Sequence, residues 1–350
     1  MLGLFRFVLA MLVVIAHLTQ GVLFFEHWGF FAVFGFYLVS GYLMTVILNE
    51  TYFFRFFSFA INRALRLFPI YYLVAITSVF VLSIAPSPGT FHPAWESSQH
   101  GLLDVLANAL IFPFEFYNAP FRLIPPIWSI AVELTNYLLL WLVVARNRKL
   151  AIAAFVVALA YHVISIAAGM NWGTRYSPSY AALLPFSLGA CIYFYRSSVT
   201  ALSFAAIRRI AIYSSVAWFA NLILCGLLTK PGSRYFDLFF YINLGCLLAF
   251  ISCVANSSLR TLFRKSGKVL GDMAYPIFLV HWIVGFTVSF LVLDGQRRGL
   301  PLLAVSVPPI LVFSYLLAWL ANRWFEPLRN KVRSNIQVSS NVDPTIDPAI

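Results

Sequence analysis

Ten runs of roughly twenty apolar residues recur along this chain, and that recurrence leaves few folds open. They fall at about 4–23, 28–49, 67–85, 126–145, 150–168, 180–196, 207–228, 235–255, 270–292 and 302–324. Each is close to the length a helix needs to cross a bilayer, about 20 residues. They are too long and too uniformly apolar for barrel strands, and inside hydrocarbon only helices and closed barrels satisfy the backbone. The expected fold is therefore all-α: a polytopic membrane protein of about ten transmembrane helices with no separate soluble domain. Composition extends this to the whole chain, since only 10% of its 350 residues are charged. A soluble domain carries about 25%.

The net charge of +12 invites a nucleic-acid reading, but the basic residues sit in short clusters between spans. They read as topology signals and anion contacts. With both termini cytoplasmic, eighteen Lys and Arg fall on the inner side and six on the other, which supports that orientation. The membrane-embedded domain is expected over 1–333, and the polar tail 334–350 is expected to be disordered and cytoplasmic. The stretch 86–125 is a long external connection rich in Pro, with His92 and His100. Its apolar part, 102–114, is about half a span long and is expected to lie in the interface or re-enter. The N-terminus lacks a basic n-region and an A-x-A-like site, so no cleavable signal is expected. The four cysteines lie in apolar spans without metal-ligand spacing and read as reduced packing residues.

Ionisable side chains inside such runs are expensive and mark sites by default. Arg6 and His17 are eleven residues apart on the first predicted helix. Eleven steps of 100° bring them to within about 20° of one face, about 16 Å apart along the axis. His17 is the side chain suited to taking a proton at neutral pH. Each also has a bland reading: a snorkelling anchor for Arg6, a hydrogen-bonded helix contact for His17. Arg63 and Arg66 lie three apart in a predicted cytoplasmic turn entering the third span, either a bracket for phosphates or a topogenic cluster. Pro69 is expected near that helix's start, with Tyr71 and Tyr72 at the interface. Pro125 and Pro126 start a helix whose first turns hold Trp128, Ser129 and Glu133, the last two sharing a face. His281 falls inside the ninth span, six residues after Tyr275, with site and structural readings both open. Ser40-Gly41 in the second span reads as a close helix approach. His162, without a patterned partner, reads as structural.

Taken together these residues resemble the acyltransferase-3 family of integral membrane O-acyltransferases. Arg6 and His17 match an Arg and a His separated by ten residues in that family's first helix. Phe36 to Gly41 approximates its second-helix aromatic-Ser-Gly element. Arg63, Arg66, Pro69 and Tyr71 match R-x-x-R-x-x-P-x-Y, and Trp128, Ser129 and Glu133 match W-S-L-x-x-E with Ile130 for Leu. Tyr275 to His281 matches Tyr-Pro-x-Tyr-Leu-x-His with Phe278 for the second Tyr, and Glu326-Pro327 resembles a closing Glu-x-Pro without its spacer. Phe34 and Ala274 depart from an acidic residue and a Ser frequent in the family. The hydrolase-like domain that some members carry is not expected here.

The resemblance implies transfer of an acyl group, most often acetyl, from cytoplasmic acyl-CoA to a sugar hydroxyl. It implies His17 as base or acyl carrier, with Glu133 orienting or reprotonating it. Arg6, Arg63 and Arg66 are the implied donor contacts. Ser40, Tyr71, Trp128, Ser129, Tyr275 and His281 are the implied supports of the acceptor pocket. Acyl-CoA is the donor substrate, with no tightly bound cofactor and no metal. The implied setting is the bacterial cytoplasmic (inner) membrane, the acceptor a glycan or lipid-linked glycan, and glycan assembly or export machinery a partner. A reading from another class is a proton-coupled transporter or flippase with His17, Glu133 and His281 as a relay. Against it, no repeated halves or paired broken helices are legible.

Overall fold

The computed structural model describes residues 1–19, 24–96, 101–230, 233–255 and 264–342. Helices dominate, and among the described residues there is no strand. In chain order they are α1 (Leu2–Leu18), α2 (Trp28–Ile47), α3 (Phe56–Ile84), α4 (Leu102–Leu110), α5 (Trp128–Leu139), α6 (Arg148–Ala167), α7 (Ser179–Phe194), α8 (Arg196–Thr200), α9 (Phe204–Leu228), α10 (Arg234–Ala255), α11 (Arg264–Val292), α12 (Leu300–Leu320) and α13 (Glu326–Val342). Every predicted span falls on one of them. Eight described helices are long and apolar enough to cross a bilayer, whereas α1, with 17 residues, and α7, with 16, are shorter. The chain is an all-α polytopic membrane protein.

Burial separates the centre from the rim. In the apolar stretch of α11, 67% of residues are buried, and 72% in that of α2, against 22% in α6. Lipid tails are as apolar as Leu, so helices in a bilayer gain from close backbone approach rather than from hiding Leu from water. Glycines supply it at two crossings. A Cβ on Gly3 of α1 would collide with the Gly267 carbonyl, and one on Gly271 with Gly3 itself, so α1 lies against α11. A Cβ on Gly41 of α2 would strike the Phe186 backbone, and one on Gly189 of α7 would strike Leu38, so α2 lies against α7. The close approach expected at Ser40-Gly41 is thus met by the glycine.

Three expectations change. Asn62 to Tyr71 is not a turn entering a helix but part of the continuous 29-residue α3. Pro69 stands well inside α3, tolerated because neighbouring groups re-satisfy a broken membrane helix. Tyr71 and Tyr72 are mid-helix, and their hydroxyls donate to the Asn108 and Ala109 carbonyls of α4. That contact lies thirteen residues, about 20 Å, along α3 from its end at Ile84, so 102–114 re-enters rather than lying at the rim. Apolar Leu102, Leu103, Val105 and Leu106 face outward while Asp104 and Asn108 are buried. Asn108 stitches the irregular backbone below: its amide donates to the Phe121 carbonyl and accepts from Leu123 N. Helix α13 continues to Val342, past residue 334 where the tail was expected to become disordered. Residues 343–350 and His100 lie outside the described residues.

Candidate active site

The α1–α11 crossing carries His17 onto His281, Nδ1 to Nε2 at 2.9 Å. His281 Nδ1 lies 3.2 Å from the Ile277 carbonyl, which only accepts, so that nitrogen carries the proton. His281 Nε2 is then the acceptor, and His17 Nδ1–H must donate to it. His17 Nε2 is left with its lone pair, and His17 lines a cavity of about 830 Å³. His162 is the useful contrast. Its Nε2 donates to the Ala181 carbonyl at 3.0 Å and its Nδ1 bonds the Tyr241 hydroxyl at 2.7 Å, so both nitrogens are spent. His162 is structural, as its lack of a patterned partner suggested.

Three cavities lie in line along the bundle. At the end where α3 and α11 begin, called inner here, a space of about 70 Å³ is lined by Arg66, Asp272, Tyr275, Glu326 and Arg329. Tyr275 also lines a middle space of about 50 Å³ with Arg6, Ser40, Glu133 and Phe278. Val33, Ser129 and Phe278 then separate that space from the outer vestibule. The vestibule holds His17, Trp128, Trp282, Tyr176, and the loop residues His92, Arg122 and Arg298. Arg6 and His17 do share a side of α1, yet they open into different cavities because about 16 Å of helix separates them.

Glu133 is not set against His17. Its Oε1 accepts from Ser40 Oγ at 2.7 Å and from the Tyr137 hydroxyl, and Arg6 lines the same space. The residue in contact with the candidate base is His281. Arg63 and Arg66 do not form one bracket either. Three residues along a helix leave side chains about 60° apart. Arg63 is buried, donates to Asn62 Oδ1 at 2.9 Å and approaches the Met44 sulfur, whereas Arg66 lines the inner cavity. Tyr71 is fully buried on α4 and lines none of the three cavities. Ser129 Oγ donates to the Pro126 carbonyl at 2.9 Å, closing the first turn of α5 on the paired prolines. Tyr275 bonds the Leu67 carbonyl at 3.1 Å and so stands between inner and middle spaces.

Several lining residues had no sequence reading. Tyr137 had a usable signal, four residues after Glu133 on the same face. Trp282 holds its ring 5.2 Å from that of His17, tilted by 34°, but carries no spacing signal. Arg329 bonds Glu326 and, at 3.4 Å, Asn62. In the outer loops, burial and the nearby Arg298 and Arg122 push His92 down to about 3, so its imidazole is neutral.

No curated protein and no solved structure matches the chain. A family model described as an acyltransferase domain matches residues 2–323, a stretch that contains all three cavities and every residue named around them except Glu326 and Arg329. The chain belongs to the acyltransferase-3 family.

Proposed function

We propose that this chain is a membrane O-acyltransferase that moves an acyl group, acetyl in the first instance, from cytoplasmic acyl-CoA to a hydroxyl of an exported or surface glycan. The observation that carries the reading is the His17–His281 pair. A histidine with one nitrogen committed and the other bare toward a large cavity is suited to take a proton from an alcohol. In the proposed step the acceptor hydroxyl gives its proton to His17 Nε2 as its oxygen attacks the thioester carbonyl. Collapse of the tetrahedral intermediate breaks the C–S bond. His17 then returns the proton to the leaving thiolate, giving CoA and an O-acyl ester. His281 keeps His17 in the tautomer this requires.

The donor comes from the inner end, which the charge asymmetry favours as the cytoplasmic side; the proposed setting is a bacterial inner membrane. Arg66 meets the phosphates there, and the pantetheine arm runs past Tyr275 and Arg6 toward His17. Glu133, fixed by Ser40 and Tyr137, balances the charge of Arg6 in the middle space. The glycan, free or lipid-linked, enters the vestibule from the other side, where glycan export machinery would deliver it.

The test follows thiol release from acetyl-CoA by detergent-solubilised protein, with and without a candidate glycan. Release should require the glycan and fall by about 10²–10⁴-fold in His17→Ala. An unchanged rate in that variant removes His17 as base. Proton-coupled glycan flux indifferent to acyl-CoA would replace the enzyme with a transporter.

A further inference from the structure

The outer vestibule carries two guanidiniums that the fold does not neutralise. By contrast the buried Arg175, which does not line the vestibule, is held by Asp237 at 2.8 Å. Among the described residues neither Arg122 nor Arg298 has an ion-pair partner, and Arg122 Nε is buried without any hydrogen-bond partner. Both are half-buried, and partly withdrawing a charge from water without a partner is costly, so a ligand that completes them is favoured. Both also belong to the minority of basic residues that the charge asymmetry leaves on the outer side, against the topological preference.

Their placement is built. Arg122 N donates to the Ala94 carbonyl at 3.1 Å, tying it to the His92 turn. Gly299 N donates to the Leu18 carbonyl at 2.7 Å, pinning the Arg298 loop to the end of α1 beside His17. Arg298 lies over the Trp282 ring at 5.0 Å, and that ring is 5.2 Å from the His17 ring. Two such contacts in series keep the guanidinium carbon within about 10 Å of the imidazole, a span that one or two sugar rings cover. The vestibule wall between them is aromatic, with Trp128, Tyr176 and Phe30, and Glu26 is its one carboxylate among the described residues.

From this we infer that the acceptor is an anionic sugar, whose carboxylate or phosphate is held by Arg122 and Arg298 while a hydroxyl one or two rings away meets His17. The inference rests on the acyl-transfer reading for the role of that hydroxyl, but not for the binding itself. Both line the vestibule and both act on His92, and guanidiniums favour planar carboxylate and phosphate oxygens over neutral groups. Aromatic walls take the apolar faces of the rings, and Glu26 and the neutral His92 are left to bond hydroxyls.

Binding is read by saturation-transfer NMR on full-length protein in neutral detergent, with methyl glucuronide, glucose 1-phosphate and methyl glucoside as probes. The charged probes should bind, and the methyl glucoside about tenfold more weakly or not at all. Each of Arg122→Gln and Arg298→Gln should weaken the charged probes about tenfold, and Arg298→Lys should restore part of the loss. The measurement needs neither acyl-CoA nor turnover, so failure of the base assignment leaves this result standing. Preference for the glucuronide makes the anion a carboxylate, preference for glucose 1-phosphate makes it a phosphate, and either supports the inference. Equal binding of all three probes in the wild type overturns it without any variant. So does displacement of both charged probes by phosphatidylglycerol at one lipid per protein, which would make the occupant a lipid headgroup.

Discussion

The inner and outer cavities are furnished alike, with two arginines, one or two carboxylates and aromatic rings each, and they differ in how many of the charges are spent: of the inner arginines only Arg66 is left without an ion pair among the described residues. At the inner end Glu326 holds Arg329 and Arg333, Asp272 accepts from Asn322 at 3.0 Å, and about 70 Å³ remains. At the outer end about 830 Å³ stays open, and neither Arg122 nor Arg298 is ion-paired to Glu26 or to any other carboxylate among the described residues. A network of paired charges closes packing around itself, while unpaired cations in a roomy space need a ligand to complete them. On the proposed function, the inner end would admit a slender chain past fixed walls and the outer end a bulky polar molecule. His17 sits at the outer side of the boundary.

That boundary is the place to break the comparison. Val33, Ser129 and Phe278 line both the middle space and the vestibule. Val33→Phe should plug the join and cut acyl transfer by about 10²-fold, the scale of a misplaced reacting group. Overpacking costs about 1–3 kcal/mol, so the control is that charged-sugar binding in the vestibule survives. Transfer at the wild-type rate would mean that donor and acceptor do not meet through this opening.

A smaller effect is expected where the outer cavity meets its base. His281→Phe keeps the ring volume and removes the acceptor for His17 Nδ1–H, so kcat should fall between about ten- and a hundredfold with little change in KM. His281→Gln offers a carbonyl oxygen in its place and should recover part of the rate. An equal fall in both variants would reduce the pair to a packing contact.

How much of this was legible follows from the range of each signal. Spans are read from length and composition alone, so all ten apolar runs fall on helices. Periodicity told which side of α1 carries Arg6 and His17, because that is a property of one helix. It could not tell which partner that side meets, and His17 finds His281 across 264 residues. For the same reason Glu133 looked like the partner of the base until the fold set it on Ser40 and Tyr137. His17 and His162 are each an imidazole in an apolar run; in sequence only the Arg6 spacing singles out His17, and in the fold the count of spent nitrogens separates them. The vestibule arginines lie on irregular loops, where no period points anywhere. Tyr71 was read as interfacial because α3 was started too late. Its continuation back to Phe56 puts that residue at mid-helix, under α4.

The start of α3 also decides the smallest predicted effect. On a turn, Arg63 and Arg66 would reach the same phosphate; on a continuous helix they part, and only Arg66 lines the inner cavity. Arg66→Ala should raise the KM for acyl-CoA about tenfold, as expected for one charged hydrogen bond, with kcat nearly unchanged. The penalty should shrink with a 3′-dephosphorylated thioester if that phosphate is the one held. Arg63→Ala should instead lower the melting temperature, because it opens a void beside Met44 and strips Asn62 of a partner, a loss of about 1–3 kcal/mol. Its KM for acyl-CoA should stay near the wild-type value. If Arg63→Ala matched Arg66→Ala in KM and melted normally, both guanidiniums would share the donor after all. The inner end would then offer two unspent guanidiniums, as the outer one does, and the count of spent charges would no longer separate them.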